Sequence, residues 1–324
     1  MLETLKTLDE VNLNFSQNGL LILNITLAFV MFGVALEIKP DHFRKLLQNP
    51  KSVLVGVFSQ FLLLPFVTFL LVVVFRNFIT PTIGLGMILI AACPGGNISN
   101  FISSLAKGNL ALSVSLTAIA TLAAIFMTPL NFSIWGKWFA NIYSKTDSSE
   151  LVRHLEIDVG QMFLTVFILL GIPLISGILF NTKMPKLTEK ILVPVKRISL
   201  IIFSALVIIL LAANFDYFRL YIKYIFIIVL VHNFVALLGG YLIALAFKRP
   251  RIDRRTISIE TGIQNSGLAL VLIFNPKIFP ADLSIGGMAF IAAWWGIWHI
   301  LAGITIGTLW SGFTLKAKKK VVKS

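Results

Sequence analysis

Apolar stretches almost free of charge recur along the chain, and each is about as long as a bilayer is thick. A helix that crosses the hydrocarbon core needs about 20 mostly apolar residues, because it rises about 1.5 Å per residue. We predict a transmembrane helix over each stretch, approximately at 19–38, 52–75, 82–106, 110–135, 159–180, 198–214, 224–247, 256–274 and 284–313. The chain is therefore predicted to be an all-α polytopic membrane protein with nine transmembrane helices.

The amino-acid composition supports a protein that lies in the bilayer and argues against several other classes of protein. Only 13% of the residues are charged, whereas a soluble domain carries about 25%. The net charge of +14 would suggest nucleic-acid binding in a soluble protein, but here the basic residues lie in short connections between apolar stretches, so we expect no nucleic-acid partner. Cys93 is the only cysteine, which excludes an intrachain disulfide and a cysteine-rich metal cluster. We expect no enzyme, because no metalloprotease, Walker or dinucleotide-binding motif occurs.

The basic residues also predict an orientation and a domain layout. Of the 28 Lys and Arg residues, 20 fall in one alternating set of connections and in the C-terminal tail. The positive-inside rule places that set in the cytoplasm, most simply at a bacterial inner membrane, with the N-terminus outside. We predict an N-terminal segment at 1–18, one transmembrane transporter domain at 19–314 and a basic cytoplasmic tail at 315–324. Two readings of the first segment stay open, an amphipathic helix at the interface and a disordered polar start.

Two of the predicted helices are interrupted at their middle. The third contains Cys93-Pro94-Gly95-Gly96-Asn97, and the eighth contains Gly262-Ile263-Gln264-Asn265-Ser266-Gly267. Proline removes a backbone donor, and glycine adds conformational freedom. The helices lie five apart and run in opposite directions, which suggests an inverted repeat. Paired breaks at matched positions of two halves indicate the binding site of a secondary transporter.

The breaks suggest which chemistry the site performs. Unwound carbonyls with nearby side-chain oxygens suit a hard cation, and the N-termini of half-helices suit an anion. Glu260 lies one turn before the second break, and ionisable residues within a span are usually functional. The alternative is an interfacial glutamate paired with Arg254 or Arg255. Glu37 lies two residues from Lys39, and we assign it a structural role.

Each of the other polar or aromatic residues within the spans has two interpretations, a structural role in packing or hydrogen bonding and a functional role in the site. Gln60 is a neutral amide in the middle of the second helix and needs partners there. A lone membrane histidine more often forms a hydrogen bond to a neighbouring helix than relays protons. We favour the hydrogen bond for His232 and leave both roles open for His299. The tryptophans at 294, 295 and 298 either line a cavity or pack. Because we find no Lys or Arg within the predicted spans, we expect half-helix N-termini, and not a basic side chain, to hold an anion.

The strings CPGGNISN (93–100), AKGNLALSVSLTA (106–118), ETGIQNSGLA (260–269) and WHILAG (298–303) carry a resemblance. They resemble the bile acid/sodium symporter family, in the same order and over nearly the whole chain. The resemblance implies an inverted-repeat fold in which two broken helices cross. It also implies a core domain (about 52–135 and 224–314) and a panel domain (about 19–38 and 159–214). Bacterial members often have ten helices, and this chain shows nine, as animal members do.

The resemblance also implies site residues. One sodium ion would bind at Ser99, Asn100, Ser113, Thr117 and Glu260. A second would bind at Gln60 and Gln264, with oxygens from Glu260, Thr261 and Ile263. The substrate would contact Asn97, Asn265, Ser266 and His299. Asn97 stands where many bacterial relatives carry threonine, which bears on the substrate.

The leading hypothesis is a sodium-coupled symporter of an organic anion that works by alternating access. Its substrate would be a bile-acid-like steroid conjugate or a small carboxylate such as pantoate. The alternative is a proton- or sodium-driven exporter or antiporter on the same scaffold, which would need a second buried carboxylate besides Glu260. An intramembrane serine hydrolase is disfavoured because Ser266 does not lie in a GxSxG motif. A receptor or scaffold would not need two broken helices.

Overall fold

The computed structural model describes residues 2–9, 17–38, 50–144, 158–279, 283 and 285–312, and this part of the chain is almost entirely helical. We number the helices in chain order. They are α1 (Leu2–Asp9), α2 (Gln17–Ala35), α3 (Pro50–Val74), α4 (Pro81–Ala92), α5 (Ile98–Leu105), α6 (Leu110–Ser144), α7 (Val159–Lys183), α8 (Pro185–Ala213), α9 (Phe215–Ala246), α10 (Arg251–Gly262), α11 (Ser266–Ile273) and α12 (Gly286–Ser311). The predicted tail at 315–324 lies outside the described residues.

Five of these helices, α3, α6, α7, α9 and α12, are long and apolar enough to cross a membrane. Helix α3 shows how such a helix divides its surface. Large apolar side chains recur every fourth residue on one face and are 41–70% exposed, at Leu54, Phe58, Leu62, Phe66, Leu70 and Val74. The opposite face is buried and includes Ser59 and Gln60. An apolar stripe that faces away from the protein suits lipid, as expected for a multi-pass membrane protein.

Helix α8 differs most from the sequence prediction, which began a helix at 198. The structure begins it at Pro185, so that Lys196 and Arg197 lie inside a 29-residue helix. Apolar residues at Leu187, Ile191 and Ile198 keep a helical spacing through the charged first half. The structure therefore begins this helix 13 residues before the predicted start at 198, and Lys196 and Arg197 are helical.

Short π-helical turns interrupt α3 at Ser59–Leu63 and α7 at Phe167–Gly171. Each precedes a proline near the start of the next helical stretch, Pro65 or Pro173. Proline has no N–H to donate to the carbonyl four residues before it. The wider π turn is one way to accommodate this missing hydrogen bond. A π turn also redirects the side chains that it contains, and such turns often occur at functional sites. The turn in α3 contains Gln60.

The helices form two layers. The smaller layer consists of α2, α7 and α8, where α2 packs against both other helices. At Gly177 of α7, an added Cβ would collide with Ala35 of α2, so this contact requires glycine. The larger layer contains α3–α6 and α9–α12. Helix α1 packs on α9 and α12 of the larger layer, with Leu5 and Leu8 fully buried.

The two sequence interruptions separate α4 from α5 and α10 from α11, and the breaks lie against each other. Gly96 N donates to Ile263 O at 2.8 Å, and Asn265 N donates to Pro94 O at 2.8 Å. These bonds form a short antiparallel bridge between Gly95 and Gln264. An added Cβ on Gly96 would lie 3.2 Å from Gln264 O, so the close approach of the two backbones favours glycine. The unwound segments thus satisfy part of each other's hydrogen bonding inside the protein.

Candidate ion and substrate site

The crossing of the breaks brings four helix ends together. Helices α5 and α11 begin at the crossing, and helices α4 and α10 end there. Helix N-termini present N–H groups and a partial positive charge, and C-termini present carbonyls and a partial negative charge. One small region of the protein therefore has surfaces that suit an anion and surfaces that suit a cation.

Glu260, in the last turn of α10, is the carboxylate at the crossing and is 1% exposed. Ser99 Oγ donates to Glu260 Oε1 at 2.6 Å, and Ser113 Oγ donates to the same oxygen. Thr117 Oγ1 lies 3.3 Å and 3.2 Å from the two carboxylate oxygens. Arg255 instead donates to Ala106 O, and Arg254 to Arg249 O. Glu260 therefore has hydroxyl groups around its carboxylate, and the arginine pairing considered from the sequence is not what the structure shows.

The oxygen atoms around Glu260 outnumber the protons available to join them. Ser113 Oγ lies near Glu260 Oε1, Asn100 Oδ1 (2.9 Å) and Ser103 Oγ (3.2 Å). A serine hydroxyl carries one proton, so it can donate to only one of them at a time. Thr117 Oγ1 has the same surplus, between Asn100 Oδ1 at 3.2 Å and the carboxylate. A hard cation that prefers oxygen ligands would stabilise such a crowded set.

The structure brings together all five residues that the resemblance implies for the first sodium ion. They come from three elements, since Ser99 and Asn100 begin α5, Ser113 and Thr117 lie one turn apart on α6, and Glu260 ends α10. The two α6 hydroxyls reach across to another helix, and Thr121, one turn further, bonds back to Thr117 O at 2.7 Å. A threonine within a membrane helix ordinarily donates its hydroxyl to a carbonyl of its own helix. Thr117 instead directs its hydroxyl to Glu260 on another helix, which distinguishes it from Thr121.

A second group of polar atoms surrounds Gly95. A Cβ added there would lie 2.6 Å from Gln60 Nε2, 3.2 Å from Glu260 Oε2 and 3.5 Å from Glu260 O. The glycine therefore leaves room that a side chain would fill. Gln264 is fully buried, and its Nε2 donates to Thr261 O at 2.8 Å. Gln60, Gln264 and the end of α10 thus meet at the first break.

Two buried amide atoms of this second group have no hydrogen-bond partner among the described residues, Gln60 Nε2 and Gln264 Oε1. An unpaired buried polar atom is costly unless a ligand or water completes its bonding. A free amide oxygen at Gln264 is a suitable cation ligand, and a half-turn of the Gln60 amide would present a second one. Ile263 O already accepts from Gly96 N and has one further lone pair.

A cavity lies between the crossing and the smaller layer, with about 140 Å³ in which the centres of water molecules fit. Its lining includes Asn97, Asn265, Ser266 and His299, all four of the residues predicted to contact substrate. His299 is 5% exposed, and its Nδ1 has no partner within the described part of the chain. Asn265 Oδ1 caps α11 by accepting from Leu268 N at 3.0 Å.

The cavity also contains a basic residue that the sequence analysis placed in a connection. Lys196 of α8 lines it and forms an ion pair with Glu37, which follows the end of α2. A basic side chain therefore lines the cavity, which the sequence analysis did not predict. Glu37 was expected near Lys39, which lies outside the described residues. The signal that could have identified Lys196 is the helical spacing of apolar residues through the first half of α8.

The remaining polar and aromatic candidates have packing roles. His232 Nε2 and Thr68 Oγ1 are 2.8 Å apart, a bond between α9 and α3. The Trp295 ring is fully buried against the His232 ring, with centroids 4.7 Å apart. Trp294 and Trp298 both pack on Phe226. The described lining of the cavity includes none of the three tryptophans, so they contribute to the core of the larger layer.

One buried carboxylate escaped the sequence analysis. Asp253, in the first turn of α10, is 5% exposed. It accepts from Ser52 Oγ at 2.6 Å and from Asn109 Nδ2 at 2.9 Å. The structure therefore contains the second buried carboxylate that the exporter alternative would need and that the sequence analysis did not identify. Asp253 was overlooked because it lies in the charged run Arg251–Arg255, which reads as a solvated connection.

Two interrupted helices that cross beside a buried carboxylate and a cavity are the arrangement of a secondary transporter. Comparison with known proteins gives the family. A family model described as the sodium bile acid symporter family matches residues 24–219, which is more than half of the chain. The chain therefore belongs to the sodium bile acid symporter family, as the sequence motifs indicated.

Curated relatives agree with this assignment. The chain is 32% identical over 301 residues to an uncharacterized sodium-dependent transporter, YocS, of Bacillus subtilis, covering 92% of this chain and 84% of the relative. It is 35% identical over 273 residues to the P3 protein of Mus musculus, covering 80% of this chain and 52% of that longer protein. It is 26% identical over 320 residues to the human sodium-dependent organic anion transporter, covering 96% of this chain and 78% of the relative. Two of these names, those of the Bacillus subtilis and the human protein, describe a sodium-dependent transporter, which points to transport and not to an enzyme.

Proposed function

We propose that this protein is a symporter that couples the entry of a small organic anion to sodium. The observation that carries the proposal is the position of Glu260. Its carboxylate lies among hydroxyl and amide oxygens at the end of α10, next to the break that also begins α11. The cation surface and the anion surface thus meet at the same two breaks.

We assign two sodium ions to the oxygen groups. The first would bind within the five-residue group that contains Glu260 and Asn100. The second would bind at the group around Gly95, with ligands from Gln60, Gln264, Glu260, Thr261 and Ile263. Support for the second site comes from the unpaired Gln264 Oε1 and from the redirected Gln60 in the π turn of α3. Both ions are cargo of the transport cycle, bound on one side of the membrane and released on the other.

The anion would bind in the cavity, where the N-termini of α5 and α11 converge. Gly96, Asn97 and Ile98 line it on one side of the crossing, and Asn265, Ser266 and Gly267 on the other. Two sodium ions next to the breaks would fix the unwound segments and add positive charge nearby. Each ligand would then raise the affinity for the other by the same factor, as linkage requires.

Alternating access would move the smaller layer, as the panel, against the larger layer, as the core. The cavity lies at the junction of the two layers, so a rocking motion there would expose it to one side and then to the other. We propose that the N-terminus is outside and the C-terminus in the cytoplasm of a bacterial inner membrane. A reporter fused after Ser324 should then behave as cytoplasmic and an N-terminal fusion as external; two reporters on the same side would contradict this topology.

A second candidate is a cation-driven exporter or antiporter on the same scaffold. Asp253 gives it some support, because it provides the second buried carboxylate that such a mechanism would want. However, Asp253 has two hydrogen-bond donors of its own and lies two helical turns away from Glu260. We therefore favour the symporter.

The test uses the purified protein in proteoliposomes with a panel of organic acids that ranges from small carboxylates to steroid conjugates. At least one anion should accumulate with an inward sodium gradient, and substituting potassium should abolish its uptake. In detergent, the same anion should raise the melting temperature in sodium and not in potassium. Uptake that follows a proton gradient without sodium would reject sodium coupling, and outward movement of the anion against sodium entry would favour the second candidate.

A further inference from the structure

The π turn of α3 leaves a buried backbone carbonyl without the donor that a regular helix supplies. Within the turn, Leu64 N donates to Ser59 O, five residues before it and not four. The next residue, Pro65, has no N–H, so Phe61 O lacks the donor four residues ahead of it. Phe61 is 1% exposed, and a buried carbonyl without a donor is costly. The turn therefore needs a donor from another part of the protein.

Asn131 of α6 supplies that donor. Its Nδ2 donates to Phe61 O at 3.0 Å, and its Oδ1 accepts from Trp135 Nε1 at 3.3 Å. Because an indole N–H can only donate, the acceptor end of the amide faces Trp135 and the donor end faces the carbonyl. The Asn131 side chain is 4% exposed. It therefore takes the place of the N–H that Pro65 lacks.

The residue on the other side of Gln60 is held as well. Ser59 Oγ and Thr261 Oγ1 are 2.7 Å apart, and Thr261 Oγ1 also donates to Ile257 O. A threonine hydroxyl has one proton, so Ser59 is the donor in its bond to Thr261. The two neighbours of Gln60 are thus fixed to different helices, Ser59 to α10 and Phe61 to α6.

Gln60 differs from both of its neighbours, because its own amide is not satisfied. The side chain is 1% exposed, and its Nε2 has no hydrogen-bond partner among the described residues. A Cβ added at Gly95 would lie 2.6 Å from this atom, which places the amide at the second oxygen group. Anchored neighbours and an unsatisfied amide together indicate that the turn holds Gln60 ready for a ligand.

We propose that Asn131 is a positioning residue for the second sodium ion, which it does not contact. By its bond to Phe61 O it fixes the π turn, and the turn places the Gln60 amide at the ion. Without this bond, Phe61 O is buried and unpaired, and the turn relieves that cost by changing its hydrogen bonding, which moves Gln60 away from Gly95. The inference rests on the proposed sodium symport and extends its second ion site to a residue on α6.

The first test is a sodium titration of the melting temperature of the purified protein, with potassium keeping the ionic strength constant. Asn131→Leu removes both bonds of the amide with little change in size. The sodium concentration at the midpoint should rise roughly tenfold, the effect of one buried carbonyl that loses its donor. If Asn131→Leu does not give a single size-exclusion peak, Asn131→Ala replaces it, because the smaller side chain leaves room for a water that donates to Phe61 O. The midpoint should rise in this variant too.

Two control variants separate positioning from a general loss of packing. Trp135→Phe removes the bond to Asn131 Oδ1 and keeps the bond to Phe61 O. It should lower the melting temperature without sodium and leave the sodium midpoint within about twofold of the unaltered value. Thr128→Val changes a fully buried residue one turn before Asn131 whose hydroxyl has no partner in the described part of the chain, so its midpoint should also be unchanged. A midpoint for Asn131→Leu no higher than that of Trp135→Phe would overturn the proposal.

The second test asks whether Asn131 acts through Gln60. Gln60→Leu should raise the sodium midpoint by itself, since it removes a ligand. Adding Asn131→Leu to Gln60→Leu should then change the midpoint little, whereas two independent effects would multiply. A purely structural role of Asn131 predicts the same rise in both backgrounds, and that result would also overturn the proposal.

The outcomes distinguish this inference from the proposed function. If sodium does not stabilise the unaltered protein relative to potassium, sodium binding itself is wrong. If Gln60→Leu keeps the unaltered midpoint, the assignment of Gln60 to the second ion is wrong, and the positioning role falls with it. If Gln60→Leu weakens sodium binding and Asn131→Leu does not, the second ion site stands and only the role of Asn131 is overturned.

Discussion

Helix α10 carries two buried carboxylates on one face, and their surroundings differ in kind. Asp253 and Glu260 are seven residues apart, which is about two turns and about 10 Å along the helix. Asp253 lies in the first turn, where the helix dipole stabilises a negative charge, and Glu260 lies in the last turn, where the dipole opposes it. Both carboxylates are buried, so burial does not distinguish them, whereas their positions relative to the helix dipole do.

The partners of the two carboxylates complete the contrast. Asp253 accepts from a serine hydroxyl and from an amide N–H₂ group, on different oxygens. Each of these bonds has its own proton. Glu260 lies among hydroxyls whose acceptors outnumber their protons, with Asn100 facing them through its oxygen. Asp253, whose donors each have their own proton, supports the fold at a helix N-terminus, whereas Glu260, at a C-terminus, shares its donors with Asn100 and has the surroundings that suit an ion.

The largest effect should come from Glu260→Gln. The substitution keeps the size of the side chain and removes the only full negative charge of the oxygen group. Sodium affinity should fall at least about 100-fold, or about 3 kcal/mol, as when one partner of a buried charge pair is removed. Sodium titration of the melting temperature measures it, and a single symmetric size-exclusion peak checks the fold. Retained sodium dependence would show that Glu260 does not bind the ion.

Asp253→Asn should reverse this pattern. The amide would place an N–H₂ group against either Ser52 or Asn109 and leave a buried donor unpaired, which costs about 1–3 kcal/mol of stability. The melting temperature without sodium should fall, and the apparent sodium affinity should stay within about twofold of the unaltered value. A large loss of sodium affinity would instead place Asp253 in the ion pathway and would support the antiporter hypothesis.

The comparison also shows what the sequence alone can predict. The breaks were predicted because proline and paired glycines disrupt a helix wherever they stand, as at Pro94-Gly95-Gly96. Glu260 stood out because an ionisable residue is costly within an apolar stretch. Asp253 did not, since its neighbours at Arg251, Arg254 and Arg255 make the whole run look solvated. Only the fold shows that its side chain turns inward to Ser52 and Asn109.

Other parts of the site depend on contacts between distant segments. The oxygen group joins α5, α6 and α10, and no spacing in one sequence implies that Ser113 meets Glu260, 147 residues away. The family resemblance supplied that set. The sequence analysis did not place Lys196 in a helix for a local reason. The charged residues and Pro194 in the first half of α8 lower its hydropathy, so that this segment resembles a loop. Helical periodicity was the better guide there than mean hydropathy.

The smallest effect should come from a single hydroxyl, which Thr117 and Thr121 on α6 allow to be tested as a pair. Both are at least 98% buried and lie one turn apart, but Thr117 reaches Glu260 and Asn100, whereas Thr121 bonds back to the backbone of its own helix. Thr117→Val should weaken sodium binding by about three- to tenfold, which corresponds to about 1 kcal/mol for one neutral oxygen. Thr121→Val removes a hydroxyl of equal size and burial, so its sodium affinity should be unchanged while its stability falls by a similar amount. Equal sodium affinities in the two variants would mean that the hydroxyls around Glu260 are packing groups, and that the surplus of oxygens over protons does not mark an ion site.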